Sequence, residues 1–244
     1  MIAIKQLRLV LVGIALFPLL FSINLINDCH CPAHNIYFET QSQIDDFPIR
    51  YPKCTRFTGN VKISSATISN LNGLAGLTAI LGFLHIYKNE QLNNLSGLSQ
   101  ISTIQGDLLI AQNPQLQNLK ELSQLSSIGR DLVIVQNNQL HSLSGLTQLQ
   151  KIERDLIITQ NQHLLQLEGL NNLKSIGAYL TISENNNLES LNGLSQLHFV
   201  QKDIAIVDNR QLSNIDALNL RGCQGKVNIY NNKKLDMKKV FSLR

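Results

Sequence analysis

Carboxylates recur at a fixed interval through the middle of this chain. Asp107, Asp131 and Asp155 are evenly spaced, Tyr179 takes the next place and Asp203 the one after. Stacked carboxylates can act as acid and base on a sugar polymer or collect Ca²⁺. However, Arg130, Arg154 and Lys202 stand directly before three of these positions, which predicts a mixed, solvated charge edge instead. The Gly- and Asp-rich nonapeptide of calcium-binding β-rolls is missing from the sequence. Asp131, Asp155 and Arg154 form the one cluster fit for polysaccharide chemistry, yet such Asp/Arg pairs follow the repeat, whereas a catalytic site should break it. The histidines His30, His34, His85, His141, His163 and His198 are scattered, with no Ser/His/Asp or Cys/His arrangement among them. The chain is therefore not expected to be an enzyme, and a polysaccharide-acting β-helix is the alternative.

Carboxamides keep the same interval. Asn89, Asn113, Asn137, Asn161, Asn185 and Asn209 follow one another at that constant step. An amide offers two N–H donors and one carbonyl acceptor. Where a strand ends and the chain turns inward, stacked amides can bond the turn backbone and one another. The column is expected to be a structural ladder.

A fixed period within the range of ~20–50 residues predicts stacked coils rather than an ordinary globular core. The columns beside the asparagines agree. Three positions earlier stand Ile86, Ile110, Ile134, Ile158, Ile182 and Ile206, and five earlier Leu84, Leu108, Leu132, Leu156, Leu180 and Ile204. L-x-I alternates with a period of two, which predicts a short strand with Leu and Ile pointing inward. Leucines then follow at a spacing of three, as in Leu92, Leu95 and Leu98, a pattern expected to form tight turns. Mid-segment glycines such as Gly97, Gly145 and Gly193 weaken a helical reading. Eight coils are expected. Ala66 stands in place of the first asparagine and Asn232 closes the series, each at a step shorter by a single position. At a rise of ~4.8 Å per coil they make a rod roughly 35 Å tall.

The ends differ from the middle. Residues 1–22 are expected to be a secretory signal, with Lys5 and Arg8 before an apolar run from Leu9 to Leu20. The run is short for a membrane span, and an uncleaved anchor is the alternative. A leader and N-terminal cap follow over 23–58, the repeat domain over 59–235 and a basic tail over 236–244. An exported chain can keep disulfides. Cys31 with Cys54 would fasten the leader to the first coil, Cys29 is a competing partner, and Cys223 lies far away. Cys29-His30-Cys31 is not a zinc spacing, so no metal is expected. The net charge of +4 falls to about +2 without Lys5 and Arg8, which is no nucleic-acid signature. No cofactor is expected.

The unit L-x-I-x-x-N-x-x-L-x-x-L-x-G-L resembles the receptor L domain, the leucine-rich-repeat-like β-helix of insulin- and EGF-receptor ectodomains. Phe38-Glu39-Thr40-Gln41-Ser42-Gln43-Ile44-Asp45-Asp46-Phe47, then Tyr51-Pro52-Lys53-Cys54-Thr55 and Gly59-Asn60-Val61-Lys62-Ile63, look like the leader of exported bacterial leucine-rich proteins of the Bacteroidetes type. The resemblance covers residues 31–235. It implies a mainly β fold, a single right-handed β-solenoid of 23–24-residue coils, secreted or held at the cell surface, without enzymatic activity. It carries no ligand-binding residue over to this chain.

A solenoid leaves its flanks to meet other molecules. The outward strand positions include His85, Leu109, Val133 and Ile157 in one file and Tyr87, Ala111, Val135 and Thr159 in the next. The centre is apolar and the ends are polar or aromatic, a pattern that marks contact sites and also one that β-branched residues produce simply by suiting strands. The expectation is a recognition or adhesion module that binds protein, glycan or a second copy of itself. A purely structural cell-envelope role is a further alternative.

Overall fold

The L-x-I triplets form strands because alternation buries Leu and Ile on one side of an extended chain while the residue between them faces out. The computed structural model describes residues 31–236 together with Lys238 and Val240. The expected signal over 1–22, Cys29, His30 and most of the tail lie outside the described residues. The strands are β1 (Ile36–Phe38), β3 (Val61–Ile63), β5 (Leu84–Tyr87), β7 (Leu108–Ala111), β9 (Leu132–Val135), β11 (Leu156–Thr159), β13 (Leu180–Ser183), β15 (Ile204–Val207) and β16 (Val227–Tyr230). They pair in that order, all parallel, as one nine-stranded sheet. Leu108 pairs with Leu132 and Ile110 with Ile134, so each file of the sequence is a file in space.

A second parallel sheet lies across the core from the first. It is built from two-residue strands: β2 (Arg56–Phe57), β4 (Ala79–Ile80), β6 (Thr103–Ile104), β8 (Ser127–Ile128), β10 (Lys151–Ile152), β12 (Ser175–Ile176) and β14 (Phe199–Val200). Ile104, Ile128, Ile152 and Ile176 continue the spacing of three that was expected to form turns, so this sheet is a correction. Two residues are too few to show alternation. Between the sheets, the leucines at a spacing of three form single 3-10 turns such as Ser96–Leu98 and Ser144–Leu146. A 3-10 turn has three residues, which eclipses positions i and i+3 and sends both inward. Leu92, Leu95, Leu98 and Ile101 are all fully buried. The result is mainly β with short strands in parallel sheets, in a β-solenoid-like arrangement.

Among its described residues the leader holds an α-helix, α1 (Gln41–Arg50), which the sequence reading did not anticipate. Thr40 Oγ1 accepts from Gln43 N, and Gln43 Oε1 accepts from Thr40 N at 3.1 Å. This capping box is visible as Thr40-Gln41-Ser42-Gln43 in the sequence. The helix buries Ile44 and Phe47, and Phe47 meets Phe38 edge-on with ring centroids 5.7 Å apart. It also covers the start of the leucine files, where Gln41 Oε1 accepts from Ser69 N at 3.0 Å. Cys31 and Cys54 are disulfide-bonded, and Cys223 is a half-buried free thiol. No helix of the described residues is long and apolar enough to cross a membrane.

Candidate functional site

Two ladders of side-chain hydrogen bonds flank the strands, the second of them interrupted at Phe83 and Tyr179. The first is the asparagine file, whose members are fully buried. Asn137 Oδ1 accepts from Asn113 N at 3.1 Å, and Asn137 Nδ2 donates to Ile110 O at 2.9 Å and Val135 O at 3.1 Å. The bonds to the next asparagine and to the strand of the coil before repeat at Asn89, Asn161, Asn185 and Asn209. Asn232 continues it at the far end, where its Oδ1 accepts from Asn209 N at 3.0 Å.

The second ladder is the carboxylate file before the strands, and it is more than the solvated edge expected. Asp107 Oδ1 accepts from Asp131 N at 3.2 Å, Asp131 Oδ1 from Asp155 N at 3.0 Å and Asp155 Oδ1 from Tyr179 N at 3.0 Å. Arg130 pairs with Asp107 at 3.4 Å and Arg154 with Asp131 at 3.6 Å. Upstream the same role falls to Asn35 and Asn60, whose side-chain oxygens accept from Asn60 N at 2.9 Å and Phe83 N at 3.0 Å. The oxygens proposed for sugar chemistry or Ca²⁺ are thus aimed at backbone N–H groups. Among the described residues, no three or more His, Cys, Asp or Glu side chains are grouped to hold a metal ion.

Between the ladders lies the outer face of the nine-stranded sheet. Its register aligns His85 with Leu109, Val133 and Ile157 in one file, and Tyr87 with Ala111, Val135 and Thr159 in the other. The sequence-based set is therefore brought together on adjacent strands. It is more shielded than an exposed patch, because each side chain is flanked by its neighbours on the coils above and below. Leu109, Val133, Val135, Ile157 and Thr159 are half-buried, and Ala111 is only 9% exposed.

The ends of the face carry aromatic groups, two of which the sequence reading missed. Tyr37 on β1 stands in register with Lys62 and is 47% exposed. Its Ile36-Tyr37-Phe38 alternation precedes the repeat, so only strand pairing shows that it joins the file. Phe83 takes the position that Asp107 holds one coil later, and its ring stacks on His85 with centroids 4.0 Å apart. Lys62 Nζ lies 5.2 Å from the centre of the Tyr37 ring and 5.8 Å from that of Phe83, within cation–π range. At the opposite end Tyr230 is 53% exposed.

Burial against these rings lowers the pKa of His85. It outweighs the opposing pull of the Asp107 carboxylate, and the Lys62 ammonium adds to it. The unfolded chain then takes up a proton more readily than the folded one, so this residue costs stability as pH falls from the ordinary histidine value through the depressed one. A urea midpoint is expected to fall more between about pH 7.5 and about pH 5.5 in the native chain than in His85→Phe, which keeps the stack and removes the titration. Equal falls in the two proteins would show that His85 is not the responsive group.

No curated protein matches the chain. The family model of the receptor L domain matches residues 53–168. Those residues hold strands β2 to β11, both ladders through the middle of the stack and the apolar centre of the face. The match supports reading the chain as similar to a receptor L domain over the stretch that builds its candidate binding surface.

Proposed function

We propose that this chain is an exported, non-catalytic recognition module that docks a partner protein on the outer face of its nine-stranded sheet. The observation that carries this is the receptor L domain match over the strands that form the face, since that family is a ligand-binding one. The half-buried apolar centre supports a protein occupant, because such a surface gains from leaving water and offers few groups to a sugar. A glycan or a second copy of the chain would be the competing occupants. The disulfide between Cys31 and Cys54 and the family both suit an extracellular or surface location. We assign a cleaved signal to residues 1–22, the leader to 23–58, the repeat domain to 59–235 and the tail to 236–244. We read the stack as about eight right-handed coils, akin to exported bacterial leucine-rich proteins.

The test places charge at the centre of the face. Val133→Lys combined with Val135→Glu should reduce association of the labelled mature chain with the surface of the cells that produce it by about 100-fold or more. Stability should change by less than about 1 kcal/mol, because both side chains point away from the core. Undiminished association would exclude this face, and binding to protease-treated cells at full strength would exclude a protein partner.

A further inference from the structure

A groove of about 630 Å³ runs beside the strand face, along the line where each strand turns into its asparagine. One wall is the file directly before the asparagines and the other is the file directly after them. The centre is neutral: Gln112, Gln136 and Gln160 face Pro114, Asn138 and Gln162. Charge stands only at the ends, with Lys88 and Glu90 at one and Glu184 at the other. At a rise of ~4.8 Å per coil, the five positions from Lys88 to Glu184 span roughly 19 Å.

The backbone gives a reason to regard these side chains as more than filler. Lys88, Gln112, Gln136, Gln160, Glu184, Asp208 and Asn231 all have φ between 56° and 59°, in the left-handed region. Glycine takes that conformation at no steric cost, and Asn or Asp at a reduced one. Three consecutive glutamines instead hold it at the centre of the groove. The conformation itself therefore does not call for a long amide, and these side chains are free to serve what they reach.

Those amides are already partly fixed. Gln112 Nε2 donates to Gln136 Oε1 at 2.8 Å, Gln160 Nε2 to Glu184 Oε2 at 2.9 Å and Gln162 Nε2 to Glu184 O at 3.2 Å. Each amide has further N–H or lone-pair capacity for a ligand. A ligand that alternates donors and acceptors, carries no charge, needs no side-chain pockets and extends over several coils fits this lining. We propose that the groove binds a neutral, hydroxyl-rich polysaccharide chain lying along the stack, at a site distinct from the strand face.

Affinity electrophoresis of the mature chain through gels containing hydroxyethyl cellulose, galactomannan, soluble starch or polygalacturonate tests this. Retardation by at least one of the three neutral polymers is expected, nearly independent of salt because no ion pairs form. The triple variant Gln112→Gly, Gln136→Gly, Gln160→Gly should weaken that retardation at least tenfold while melting at the same or a higher temperature. The near-isosteric Gln136→Glu should weaken it as well. Val133→Lys with Val135→Glu should leave it unchanged, which separates this site from the proposed protein face. The assignment is overturned by no retardation in any neutral polymer, by retardation in polygalacturonate alone, or by a triple variant that keeps its affinity. It is also overturned if the triple variant melts markedly lower, because the amides are then a structural rail, or if only the strand-face variant loses the sugar.

Discussion

Asn137→Leu is expected to lower the stability of the folded chain by about 3 kcal/mol and the melting temperature by roughly 6–12 °C. Leucine is close in size, so the loss is one of hydrogen bonds rather than of volume. The Asn137 carbonyl accepts from Asn113 N and Asn113 Nδ2, and its amide donates to Ile110 O, Val135 O and Asn161 Oδ1. All of this happens at a fully buried position, where water cannot replace a lost partner. One substitution therefore strands polar groups on three successive coils. Because coils stabilise one another through nearest neighbours, the damage is expected to show first as faster amide exchange around Asn113 and Asn161. Calorimetry gives the shift directly, and an unchanged melting curve would mean that these groups find other partners.

Gly145→Ala should cost about as much, about 3 kcal/mol, for a steric reason. A Cβ at Gly145 would lie 1.6 Å from Leu119 O and 2.5 Å from Leu119 C, on the coil before it. Those are backbone atoms of a packed neighbour, so no rotamer change relieves the overlap and the turns must separate. Gly76 is the control, since a Cβ there meets nothing closer than Cys54 O at 3.7 Å. Gly76→Ala should leave stability within about 0.5 kcal/mol or raise it slightly by restricting the unfolded chain. Equal melting of the two variants would show that the stacked turns have slack. The glycine file itself has exceptions in Glu121 and Ala217. At Glu121 the extra side chain leaves Oε2 buried without a hydrogen-bond partner. Local approach of the coils, not the repeat as such, sets the need for glycine.

The L-x-I strands, their parallel pairing and the files of Leu and Ile were legible because burial repeats on every coil and leaves its mark on every unit. The second sheet was not, since Thr103–Ile104 and its counterparts are too short to alternate. α1 leaves no periodic mark because its segment does not repeat, although its capping box stands in the sequence. The register of the strands places the outward residues side by side, and their half-burial depends on how tightly adjacent coils shield one another. Tyr37 entered the face only through pairing of β1 with β3.

The sequence by itself determined what lies inside, because an aliphatic side chain or an unpaired carboxamide has few tolerable alternatives to the core. Tertiary structure alone decided the outer surface. Stacking turns the Asp107 file into a ladder, sets Phe83 against His85 and lines a groove with Gln112, Gln136 and Gln160. Outward residues carry a weaker burial constraint than the core files, too weak for a pattern to fix their contacts. Their meaning comes from neighbours a full coil away along the chain, and only the stack brings those within reach.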